Sequence, residues 1–474
     1  MRKLPRLYSL KDDWAAIPSS VDIVSVETRK SAARPHPRSS DIQLCPPMWS
    51  NQRPIQFPEV PPMPLGRLFR TAALLSAAVL TACDNASERD AGGAANVIGA
   101  APEPVQIVDF AALGLQGLRS FDVQANGAKV HAAFIADGGD PRQPYIGYLH
   151  SEDGGRHWSA PVALAGQFQQ PVESKTGNDI QVAASGDNVV LVWQVSGEIP
   201  GMGPLFVARS ADGGQSWQAG ANPTGSDIDQ SHHDLATDAA GRFHLVWLDD
   251  RDENGYQGLR YARSDDAGLH WQAAQSVDDS SCSCCWNRIA AAPDGKIDIL
   301  YRDMEPRDMA LAQSTDAGIS WQRSAAVGGF GWKFDGCPHN GGSLAYADDA
   351  SRHALVWTGA DQQVGLYHLQ STDGGTSWSA PHRLGDGMSP FHADLAVGAE
   401  RLLAVWDALG PAGSKVYLAE SADHGASWTQ GSLLSAPAAS AGFPRIVATG
   451  QGWLALWYEQ QPGSAKQWRA ALIH

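Results

Sequence analysis

Ser210-Ala211-Asp212-Gly213-Gly214-Gln215-Ser216-Trp217 decides the fold, because the pattern S-x-D-x-G-x-x-W returns at Ser151, Ser264, Ser314, Ser371 and Ser421. Six copies at intervals of about fifty to sixty residues mark a repeat architecture rather than a chance motif. Each copy reads as a tight hairpin turn: the Asp carboxylate accepts amide protons, Gly permits positive φ, and Trp packs between sheets. Around it the pattern is strand, turn, strand, loop, strand, box, strand. In the second unit these are Asp179–Ala184, Asn188–Trp193 and Leu205–Arg209, then the box and Trp217 onward. The second strand carries an aromatic near its end in seven units, at Phe134, Trp193, Trp247, Tyr301, Trp357, Trp406 and Trp457. The seventh unit, from Pro444 to Ile473, has three strands and no box. A strand-like segment at 104–110 precedes the first unit, and pairing it with the last would close a ring and remove an exposed edge.

The octapeptide is the Asp box, or BNR repeat, and residues 104–474 resemble the sialidase-type β-propeller superfamily. The expected fold is all-β, a seven-bladed β-propeller of four-stranded antiparallel blades. A six-bladed ring is the alternative, since sialidases of that superfamily are six-bladed. The resemblance implies that sites gather on the face opposite the box turns, where loops converge at the axis.

The remaining sequence bounds the function. The chain has 474 residues, 43% hydrophobic, with 49 Gly and 17 Trp and a net charge of −16, which disfavours nucleic acid as a partner. Residues 1–62 show no sustained periodicity and read as an over-extended start. Met63 opens a second beginning, with Arg67 and Arg70 ahead of the apolar run Thr71–Leu80. Leu80-Thr81-Ala82-Cys83 resembles a bacterial lipobox, which implies a signal peptide at 63–82, lipidation of Cys83, and a tether at 83–103. The expected location is the periplasmic side of the cell envelope, membrane-anchored through that lipid. Asp84 resembles an inner-membrane retention signal.

The connections into blades four and five are the most unusual part of the chain: Ser281-Cys282-Ser283-Cys284-Cys285-Trp286-Asn287-Arg288 and Phe334-Asp335-Gly336-Cys337-Pro338-His339-Asn340. Both belong on the loop face, joined by His232 and His233 before blade three, His392 before blade six, and the Tyr301–Asp308 loop with Arg307. Cys282, Cys284, Cys285 and Cys337 have two readings. An oxidising compartment favours disulfides, with Cys337 stapling blade five to blade four. The other reading is a soft copper or zinc site completed by Cys337 or His339. The acidic run Asp249–Asn254 offers hard oxygen ligands for calcium, without the spacing of a full calcium loop.

The family resemblance implies, for a sialidase, three arginines against a substrate carboxylate, a Tyr nucleophile and an Asp acid. The catalytic candidates here are Tyr301, Arg302, Asp303, Arg288 and Arg445, but the Arg-Ile-Pro motif is absent and no role transfers residue by residue. The expected function is therefore an envelope-anchored binding or assembly module for a glycan or protein ligand, acting through the loop face of blades four and five. The alternatives are an exo-α-sialidase or related glycoside hydrolase, and a copper- or zinc-handling periplasmic protein.

Overall fold

The computed structural model describes residues 101–474 except 140–143, 165–167, 169–171, 175–179, 198–201, 226–229, 250–256, 334–337, 399 and 412. The chain divides into Met1–Pro46 and Pro47–His474, and the first unit lies outside the described residues. So do the start, signal-peptide and lipidation assignments, including Cys83. No helix of the described residues is long and apolar enough to cross a membrane.

The described residues form seven four-stranded antiparallel sheets, so the ring has seven blades rather than six. First strands of successive blades touch one another around the axis, and that of blade seven, Ser440–Thr449, reaches that of blade one, Gly117–Asn126. Glu103–Val105 pairs with Gln467–Ile473, Glu103 opposite Leu472 and Val105 opposite Ala470, and is the fourth strand of blade seven. This closing strand is shorter than the expected 104–110. Beyond Val105, Ile107 and Phe110 are nearly fully buried in the core shared by blades one and seven. Phe110 stacks on Phe134 at 5.7 Å, so the segment leaves the sheet to fill the core.

The seven second-strand aromatics are all buried, from 0% to 6% exposed. They stand between blades, as the alternation of apolar residues requires. The Asp boxes lie where third strands end. In the second box Asp212 Oδ1 accepts the Ser216 N–H at 2.9 Å, the Gly214 N–H donates to Ser210 Oγ at 2.9 Å, and Trp217 Nε1 donates to the Gly214 carbonyl at 3.0 Å. Hydrogen bonds from Ser216, led by its hydroxyl, hold the Asp212 carboxyl down at about 2. Gly214 has φ of 92°, and a Cβ there would strike the Tyr148 ring of the preceding blade. The box is thus both a turn and a contact between blades, which accounts for its repetition without any chemistry of its own.

Candidate functional site

Each first strand carries, just before a core residue, a polar or charged side chain: Asp122, Gln181, Asp234, Arg288, Ser343, Asp394 and Arg445. Four of these lock one blade to the next. Asp122 accepts the Val182 N–H at 2.9 Å, Asp234 that of Ile289 at 2.7 Å, Ser343 that of Leu395 at 3.1 Å, and Asp394 that of Ile446 at 3.1 Å. The arginines knit the acids together. Arg445 donates to Asp122 at 2.7 Å and lies 3.7 Å from Asp394, while Arg288 lies 3.9 Å from both Asp234 and Asp394.

Three carboxylates and two guanidiniums therefore form one polar chain across the axis. Burial lifts the Asp234 carboxyl to about 6 against the pull of Arg288 and Arg445. Burial also works against ionised Asp394, but there Arg445 and Arg288 outweigh it and hold the carboxyl below its ordinary range. Burial would lower Arg445, yet Asp122 and Asp394 raise it above its ordinary value. Below this layer a channel runs toward the box side, lined by Asp122, Gln124, Asp234, Thr237, Arg288 and Arg445.

Above it opens the mouth. Trp286, Asn287, Arg288, Gly341, Gly342, His392, Phe443 and Arg445 line a cleft on the loop face. Its aromatic rings touch edge to face: Trp286 lies 5.3 Å from His232, 6.0 Å from His392 and 6.2 Å from Phe443, while His392 stacks on Phe443 at 3.8 Å. The first strands that aim these rings are irregular. Pairing slips between Ser231 and Asp234, between Pro390 and Ala393, and between Gly442 and Arg445. At two of these bulges a non-glycine residue holds positive φ, His232 at 50° and Phe443 at 51°. A bulge re-aims a side chain, and strain of this kind persists where the surrounding structure over-determines it. Gly341 completes the arrangement, because a Cβ there would sit 2.9 Å from Trp286 Cβ and 2.7 Å from its carbonyl oxygen.

His392 is tied down from behind. Its Nδ1 is 2.9 Å from Asp407 Oδ2, the same oxygen that accepts the Phe443 N–H at 2.9 Å. Asp407 so favours the tautomer with hydrogen on Nδ1, leaving Nε2 as an acceptor or a base. Tyr458, whose ring lies 5.9 Å from Phe443, stands behind the same wall, with burial foremost pushing its hydroxyl up to about 12.

The residues expected from sequence divide between this mouth and other places. Trp286, Arg288, His392 and Arg445 line the mouth, and His232 packs edge to face on Trp286 beside it. His233 turns away, buried with Nε2 3.2 Å from the Val192 carbonyl and held neutral, its value lowered to about 4 by burial. Tyr301 is buried between blades three and four, donating to Asp278 at 2.5 Å. Arg302 is buried, donates at 2.7 Å to the carbonyls of Arg307 and Trp357, and lies over the Trp332 ring. Asp303 pairs with Arg323 at 2.5 Å. None of these three lines the cleft or the channel. His339 is exposed with φ of 52°, Cys337 lies outside the described residues, and of the acidic run Asp249–Asn254 only Asp249 is described.

Cys282, Cys284 and Cys285 form a separate buried group with Met304 packed against it. Cys282 Sγ is 3.5 Å from Cys284 Sγ and 3.4 Å from Cys285 Sγ, so no disulfide joins these three to one another. Arg307, itself buried, reaches Cys282 Sγ at 3.8 Å. Hydrogen bonds from Cys284 and Cys285 hold the Cys282 thiol well below its usual value, whereas burial pushes Cys285 up to about 12.

Residues 128–329 match the family model described as BNR repeat-like domain. No curated protein matches the chain. Among solved structures, the polysaccharide lyase Uly1 is 12% identical over 75% of this chain and 90% of its own, with a TM-score of 0.52. A PL25 ulvan lyase bound to -[GlcA(1-4)Rha3S]- is 11% identical over 76% and 95%, with a TM-score of 0.50. The Hadza microbial sialidase Hz136 is 13% identical over 73% of each chain, with a TM-score of 0.43. At these identities the likeness is one of fold.

Proposed function

We propose, for a seven-bladed propeller whose residues 128–329 match the BNR repeat-like domain model, that the axial mouth binds an acidic carbohydrate. In this reading the propeller is carried on the envelope by lipid at Cys83. The observation that supports it most is the wall of half-buried aromatic rings, Trp286, His392, Phe443 and His232, set directly above Arg288 and Arg445. The apolar face of a sugar ring stacks on such a wall, while its hydroxyls find imidazole and amide partners. Arg288 is the arginine suited to reach a sugar carboxylate: its nearest acids are 3.9 Å away and its side chain is 22% exposed. Arg445 is instead committed to Asp122.

The ligand class agrees with that of the ulvan lyase of similar fold, whose bound saccharide contains a uronate. The sialidase alternative has less behind it, because Tyr301, Arg302 and Asp303 lie away from the mouth. One arrangement favours chemistry as well as binding: Asp407 orients His392 as a base with Tyr458 behind the same wall.

Calorimetric titration with uronate-containing and neutral oligosaccharides tests the reading. Binding of the acidic series is expected, with Trp286→Ala weakening it at least about tenfold by loss of a stacking anchor. Equal affinity of the variant, or no binding by either series, overturns it. The same incubations followed for new chain ends show whether His392 cleaves what the mouth holds.

A further inference from the structure

The motif Cys282-Ser283-Cys284-Cys285 plays no part in the mouth. Its three sulfurs lie within 4.8 Å of one another, and all three residues are at most 5% exposed. Cys282 sits between the other two, at 3.5 and 3.4 Å. The turn is held from outside the cluster: the Cys282 N–H donates to the Arg302 carbonyl at 2.9 Å, and Ser281 bridges to Asp303.

We propose that Cys282, Cys284 and Cys285 form a three-sulfur site for a soft monovalent metal ion, copper(I). A trigonal ion with metal–sulfur bonds of about 2.3 Å keeps its sulfurs about 4 Å apart. The two separations at Cys282 need to open by roughly half an ångström to accept it, against closing by about 1.4 Å to make a disulfide. The donor set is sulfur alone, with the Met304 thioether packed on it, which selects a soft ion over a hard one.

Charge agrees with this choice. Copper(I) held by three thiolates carries two net negative charges. Arg307, at 3.8 Å from Cys282 Sγ, and the neighbouring buried Arg302 supply two positive ones. Binding releases the thiol protons to solvent and leaves the oxidation state of copper and sulfur unchanged. Cys337 lies outside the described residues and is not needed for the three-coordinate site.

The test uses the full chain, reduced and anaerobic, titrated with copper(I) presented by a chromophoric copper(I) chelator. One copper per chain is expected to be withdrawn from the chelator, with a sulfur-to-copper ultraviolet band and a raised melting temperature on loading. Cys282→Ser and Cys285→Ser, each checked for native circular dichroism, should weaken retention at least about 100-fold. Cys337→Ser should not. Because loaded and unloaded wild-type protein are compared directly, the result stands even where a variant fails to fold. The proposal is overturned if the wild type yields its copper to the chelator as readily as Cys282→Ser does, if it retains zinc(II) and not copper(I), or if protein taken from the envelope carries Cys282 or Cys285 in a disulfide.

Discussion

Deleting residues 103–112 should abolish the cooperative fold of the propeller at physiological temperature. The deletion removes the whole ladder from Glu103 to Val105 and two core side chains, Ile107 and Phe110, at 6% and 2% exposure. Burying an aliphatic or aromatic side chain of that size contributes roughly 1.5–3 kcal/mol, and Phe→Ala in a core costs about 3–5 kcal/mol. The loss is comparable to the net stability of an ordinary domain. The consequence is also qualitative. Gln467–Ile473 becomes an unpaired edge strand beside an uncovered Phe134 and Trp468, a surface that invites pairing with another chain. Thermal melting and light scattering check both parts. Phe110→Ala is the milder variant, expected to lower the melting temperature without the rise in light scattering. An unchanged melting curve for the deletion would mean that the ring is closed elsewhere.

The second large effect is electrostatic. Arg445→Met should cost roughly 3–5 kcal/mol, because it leaves Asp122 and Asp394 buried with Arg288 as the only remaining guanidinium of the chain across the axis. A second substitution, Asp122→Asn, should restore part of the loss, since it removes the charge that Arg445 had matched. The pH dependence has a definite sign. Without Arg445, Asp234, already lifted to about 6 by burial, and buried Asp394 both lose a cation that favours their charged forms. The penalty is therefore largest where they are ionised and is relieved as falling pH protonates them. The gap between variant and wild type, read from denaturant midpoints, should narrow as pH falls from 7 toward 5. A gap that is constant or widens on acidification would show that the Arg445 guanidinium acts by packing and not by charge.

The architecture is readable in the chain because its signals are local. An Asp box must satisfy its own turn, so Ser210, Asp212, Gly214 and Trp217 carry the geometry within eight residues, and six repetitions reveal the ring. The site is readable only in part. Trp286, His232 and His392 stand out by type and place, but Asp122, Asp234 and Asp394 read as ordinary strand-end acids. Their partners, the backbone N–H groups of Val182, Ile289 and Ile446, come from the next blade, more than fifty residues away. The recurring Asp-Val or Asp-Leu at one place in the first strand was the available signal. Asp407 and Phe443 gave none, because their meeting depends on a bulge that twists Phe443 toward the axis. Arg445 was legible as a candidate, but with its role open: it matches internal carboxylates, and that leaves Arg288 as the arginine with room for a ligand.

The most direct test of the central claim is a crystal structure of the propeller with a uronate-containing oligosaccharide. The sugar ring is expected against Trp286 and Phe443, with its carboxylate within hydrogen-bonding distance of Arg288 and a hydroxyl on His392. A saccharide seated on the box face or the outer rim, with the mouth left to solvent, would contradict the account.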